Sequence, residues 1–138
     1  MVSAGVIIEN KLSFGTVVVT DNSTISNVTV NLSDGKTLST NKMLILVPGQ
    51  LAEFTLINFT PYSLLNISAN ILSSETSSDT GSLSQFSLTN LTIESTVTVD
   101  NSGMATLFMG GTLSTSGNGT NSYISTNYHS TYNIVISY

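Results

Sequence analysis

The chain holds one imidazole, eight carboxylates and no thiol, and any acid–base or covalent chemistry would have to be built from these groups and the hydroxyls. His129 sits in Tyr128-His129-Ser130, just ahead of the alternating stretch TYNIVISY at 131–138. Counted in twos, it has the opposite parity to Tyr132, Ile134 and Ile136, which puts its ring on the solvent side of a strand. A triad would also need a neighbouring carboxylate and a placed Ser, and no nucleophile-elbow pattern occurs. Asp21, Asp34 and Asp100 stand in the clusters DNS, SDG and DNSG, where an Asp bonds the nearby backbone and favours a bend. Glu75 and Asp79 share a Ser/Thr-rich loop but lack the ligand spacing of a Ca²⁺ hand. Glu9, Glu53 and Glu94 complete no motif. The expectation is a protein with no catalytic centre, no metal and no cofactor.

The elements that would position such groups follow from composition and period. At 138 residues one domain is expected, and 40% hydrophobic content supplies a core. Only 8% of residues are charged, against about 25% in ordinary soluble domains. Ser and Thr provide 43 residues and Asn 14, so neutral hydroxyls and amides must cover the surface. Three lysines (Lys11, Lys36, Lys42), no Arg and a net charge of −5 exclude the phosphate-binding stripe of a nucleic-acid protein. The longest apolar run, MLILV at 43–47, has the length of a strand and not of a membrane span. Seven Asn-x-Ser/Thr sequons, at Asn22, Asn27, Asn31, Asn58, Asn66, Asn90 and Asn118, are read as a product of this composition.

The hydrophobic period is two. SNVTVNLS (26–33), EFTLINF (53–59), LLNISANIL (64–72), QFSLTNLTIE (85–94), STVTVD (95–100), MATLFMGGTL (104–113) and TYNIVISY (131–138) alternate and are rich in β-branched and aromatic residues. Turn clusters separate them at 21–23, 33–35, 48–49, 60–61, 77–82, 100–103 and 116–121. An all-β chain is expected, a single antiparallel β-sandwich, with Phe54, Leu56, Phe59, Leu64 and Ile67 in its core. On the last strand Tyr132, Ile134, Ile136 and Tyr138 should share one face.

The text from Asp100 to Leu113, DNSGMATLFMGGTL, is the most particular in the chain. With Leu12-Ser13-Phe14-Gly15, Ala52-Glu53-Phe54-Thr55-Leu56 and the Tyr-rich close from Tyr128 to Tyr138, it resembles, in order, the bacterial domain of unknown function numbered 4402. The motif residues are Leu12, Phe14, Gly15, Gly103, Gly110, Gly111, Leu113, Tyr132 and Tyr138. The resemblance implies an exported domain with no assigned activity, similar in general look to pilin and spore-coat subunits. It therefore implies an Ig-like, pilin-like or jelly-roll Greek-key form of the sandwich.

Residues 1–11 are read as an N-terminal strand and 12–138 as the sandwich domain. Val2, Ala4, Val6 and Ile8 share one parity and need an apolar groove, either in this chain or in a neighbour. The expected function is a non-enzymatic, extracellular structural subunit of a filament, its export signal removed, joined to other copies of itself by addition of that strand. The alternative is a monomeric adhesin or carbohydrate-binding sandwich with ligand loops at 73–82 and 114–127, Tyr123 and Tyr128 flanking a Gly/Asn/Ser-rich loop as a small platform for a glycan.

Overall fold

In the computed structural model, which describes residues 3–78, 86–119, 123 and 126–138, every regular element is a strand. They are β1 (Gly5–Asn10), β2 (Thr16–Val19), β3 (Asn27–Val30), β4 (Thr37–Ser39), β5 (Met43–Val47), β6 (Ala52–Ile57), β7 (Leu64–Ser78), β8 (Ser87–Ile93), β9 (Thr96–Thr98), β10 (Ala105–Ser114) and β11 (Tyr128–Ser137). The architecture is an antiparallel β-sandwich. One layer runs β1-β6-β10-β8, with β3 and β4 continuing from β10. The other is β9-β7-β11, and β7 crosses between layers, pairing with β8 through Glu75 and Ser87.

The core lies between the layers because inward positions alternate on every strand. Ala52, Phe54 and Leu56 of β6, with Leu107 and Met109 of β10, meet Leu65 and Ile67 of β7 and Val99 beyond β9. Phe54, Leu56, Phe59 and Ile67 are buried as expected, but Leu64 is 58% exposed and Leu65 is fully buried in its place. The reason is parity. Leu65 and Ile67 share a face, and Leu65 lies opposite Val97, so Leu64 must point outward. β7 also runs further than expected, through a Ser/Thr stretch that reads as a turn, because its ladder with β11 continues to the pair Ser78 and Tyr128.

β1–β6 and β2–β5 form one ladder bent in the middle. Ile8 faces Phe54, Ser13 bridges to Gln50, and Val19 faces Met43, so the register runs through with a one-residue slip on each side of the bridge. The bend is possible because Gly15 and Gly49 touch. A Cβ on Gly15, whose φ is +77°, would stand 2.0 Å from the Val47 carbonyl oxygen, and one on Gly49 would stand 2.1 Å from that of Ser13. Beyond the bend, β2 and β5 turn Val17, Val19 and Met43 onto a second cluster with Val28 and Phe86.

The Asp-led turns form as their sequence implies. Asp21 accepts from Ser23 N–H at 2.8 Å, Asp34 from Lys36 N–H at 3.0 Å, and Asp100 from Ser102 and Met104 N–H at 2.8 and 2.9 Å. The Ser23 bond holds the Asp21 carboxyl below its ordinary range.

Gly15→Ala should lower stability by about 2–4 kcal/mol, since it combines a positive φ with a backbone collision. Leu65→Ala should cost about 2–5 kcal/mol and Leu64→Ala less than about 1 kcal/mol. Urea unfolding of the three variants checks all three values.

Candidate assembly edge

The N-terminal strand lies on β6 of its own chain. Val6 faces Leu56 and Ile8 faces Phe54, so both point to the side of the sheet that carries the core. Their partners are buried, yet Val6 is 46% and Ile8 58% exposed. Ile7, opposite Thr55 on the outer face, is exposed as well. Among the described residues β1 is the outermost strand of its layer. Val2 lies outside the described residues, and Ala4 is exposed just ahead of the strand.

Neutral amides fix the two ends of β1. Asn58 Nδ2 donates to the Ser3 carbonyl at 3.2 Å and Gln50 Nε2 to the Lys11 carbonyl at 3.1 Å. Asn58 adopts a positive φ of 61°, which sets it at the turn after β6. Glu9, the one charged residue of β1, accepts from Thr55 Oγ1 at 2.9 Å, so its carboxylate is turned onto the outer face. These pins were not legible in the sequence, because Asn and Gln carry no pattern that names a partner so far along the chain.

Among the described residues β11 is the outermost strand of the other layer. Tyr132, Ile134 and Ile136 turn toward the core and are half-buried, while His129, Asn133 and Val135 are exposed on the opposite parity. Tyr138, expected on the inward face, is 83% exposed, although its ring meets Phe59 edge-on at 5.3 Å. It lies beyond the end of β11, and no strand among the described residues covers it. A cleft of about 1160 Å³ opens between the outer strands, with Ile8, Leu12 and Phe14 on one wall and Tyr128 and Tyr132 on the other.

The remaining motif residues are structural. Leu12 packs on the main core, Phe14 and Leu113 on the second cluster. Gly110 and Gly111 admit neighbouring backbone: a Cβ on Gly110 would lie 2.3 Å from the Val30 carbonyl oxygen, and one on Gly111 2.8 Å from that of Asn90. Gly103 closes the β9–β10 turn through its N–H to the Asp100 carbonyl. Asn22, read in the sequence as one of seven sequons, is buried. Its side chain donates to Ser116 Oγ at 2.9 Å and accepts from Gly117 N–H at 3.0 Å, latching the segment after β10.

Tyr123 and Tyr128 do not stand as a free platform. Their rings pack on Phe86 at 4.5 and 5.0 Å, and the Tyr123 hydroxyl accepts from Ser116 N–H. Much of the two candidate ligand loops lies outside the described residues, Asp79 included. Among the described residues no three His, Asp or Glu side chains gather as metal ligands. No helix among them is long and apolar enough to cross a membrane.

Burial raises the phenols of Tyr132 and Tyr123 above their ordinary value of 10.0. A raised folded-state pKa favours the neutral form, so this contribution is intact below pH 10 and is lost as pH rises through the folded-state values. The melting temperature should therefore fall above about pH 10, and less steeply in Tyr132→Phe. A wild-type curve that stays flat to about pH 11 would contradict the assignment.

No match to a curated protein or to a solved structure was found. The family described as Domain of unknown function (DUF4402) matches residues 6–138, from the second residue of β1 to Tyr138. The match takes in the bent ladder, the double glycine and the Tyr-rich last strand, and the chain belongs to this family.

Proposed function

We propose that the chain is a structural subunit of an extracellular surface assembly, without enzymatic activity, joined to its neighbours by β-strand addition through its N-terminal segment. The observation that carries this reading is the exposure of Val6 and Ile8 on the core side of an outermost strand. Soluble monomers protect such edges with Lys, Pro or inward charges, because an open row of N–H and C=O groups templates pairing with another chain. β1 has neither Lys nor Pro, and its single carboxylate is held on the outer face.

The edge of β11 is a matching acceptor. Between Tyr128 and Tyr138 there is no Asp, Glu, Lys, Arg or Pro over a strand of ten residues. The edge of β1 that has no strand partner among the described residues in one copy adds to the corresponding edge of β11, along Tyr132–Ile136, in the next. Two different surfaces then meet, so the contact is head-to-tail and passes from copy to copy instead of closing as a two-fold dimer. Backbone bonds supply the affinity, and Val6, Ile8, Tyr132 and Ile134 supply the apolar contact. A surface of neutral hydroxyls with few charges offers little repulsion between subunits packed this closely.

Sedimentation of the purified chain tests the reading. Concentration-dependent polymers that persist at about 1 M salt are expected, since the contact is not built from charge. Ile8→Lys should weaken association by at least about tenfold while leaving the circular dichroism unchanged, because the side chain is already more than half exposed. Polymers that form equally well after deletion of residues 1–11 would sink the proposal, and so would a wild-type monomer at all concentrations.

A further inference from the structure

The cleft between the outer strands has a charge pattern that strand addition does not use. Its floor is apolar. Phe86 and Leu88 are buried there, while Leu12, Phe14, Val19 and Tyr128 pack inward yet stay only partly covered. Val18 and Leu46 of the β2–β5 ribbon, 38% and 62% exposed, extend the apolar lining outward. The chain as a whole carries eight carboxylates against three lysines and one histidine. Lys11 and His129 both line the cleft, and among the described residues no Asp or Glu does. Lys11 belongs to the wall of Leu12 and His129 to the wall of Tyr128, and both are exposed at the opening. A molecule of net charge −5 thus keeps its acids out of this cleft and brings two of its four basic side chains to it.

We infer that the cleft binds a single-chain lipid anion, a fatty acid in the simplest case, with its hydrocarbon on the apolar walls and its carboxylate at Lys11 and His129. The cleft volume of about 1160 Å³ is ample, since ligand pockets commonly hold about 300–1,000 Å³. An alkyl chain brings no polar group for apolar side chains to leave unpaired, whereas an extended peptide brings a row of N–H and C=O groups. The carboxylate head needs charged or N–H donors, and the rim supplies an ammonium from one wall and an imidazole from the other. The N-terminal strand of a neighbouring copy offers that rim no carboxylate, because Glu9 is taken up by Thr55 on the outer face. Lipid binding here does not depend on strand addition at β1.

Isothermal titration of the purified chain with decanoate and dodecanoate, each below its micelle concentration, tests the site. Dodecanoate should bind about tenfold more tightly, because two further methylenes leave water. Dodecyltrimethylammonium, of equal chain length and opposite charge, should bind at least about tenfold more weakly than dodecanoate. Lys11→Glu should reverse that preference with the circular dichroism unchanged, since Lys11 is exposed. Absence of dodecanoate binding, equal binding of anion and cation, or an affinity indifferent to chain length would overturn the inference. So would displacement of dodecanoate by a synthetic peptide of residues 1–12, which would give the cleft to a neighbouring copy. Lys11→Glu should sediment as the wild type does, so failure at this site and failure of strand addition are read separately.

Discussion

Everything at the N-terminal end of this molecule depends on the contact between Gly15 and Gly49, where two backbones meet with no room for a side chain on either. That contact lets one long antiparallel ladder change direction without losing register. On one side of the bend the ladder joins the main layer through β6. On the other it leaves that layer, and its inner face covers the second apolar cluster. A side chain at either glycine would separate the strands and uncouple the two clusters. The Leu-x-Phe-Gly element is thus a corner: Leu12 anchors the core before it, Phe14 anchors the second cluster after it, and Gly15 allows the turn between them.

The molecule is uneven in how it treats its apolar side chains. In the middle of the sandwich, inward residues such as Leu56, Leu65 and Met109 are sealed. Toward β1, β11 and the ribbon, residues of the same types are left half in water. An isolated exposed Leu or Val is ordinary on protein surfaces, but here exposure coincides with strand edges that lack partners among the described residues. Neutral side chains, Asn58 and Gln50 above all, hold the outermost strand in place where another protein would use packing. The exposed strand is therefore ordered by polar pins at its ends and leaves its apolar length available.

Much of this was legible in the sequence. Period-two alternation marks the strands, Asp-led clusters mark the turns, and the order of the motifs marks the family. Adjacent apolar residues were harder to read. Leu64 and Leu65 differ only in parity, and parity is set by the partner strand, which composition does not name. The Ser/Thr run at the end of β7 has weak intrinsic preference and becomes strand because β11 pairs with it. Where β1 goes was open in the sequence for the same reason, since Val6 and Ile8 would fit any apolar groove. The exposed face of MLILV was not legible either, because an uninterrupted apolar run reads equally as a strand covered on both faces.

The bent ladder also has an order in time. Its closest pair in sequence is Val19 with Met43 and its most distant is Gly5 with Ile57. Once β2 and β5 have met, each further pair adds little loop entropy, so closure propagates outward through the glycine corner and reaches β1 last. β1 thus stands at the end of the ladder that closes the longest loop, tied there by Asn58 and Gln50. The strand that leaves Val6 and Ile8 half in water is therefore also the one whose place in the fold depends on the most distant pairing of its ladder.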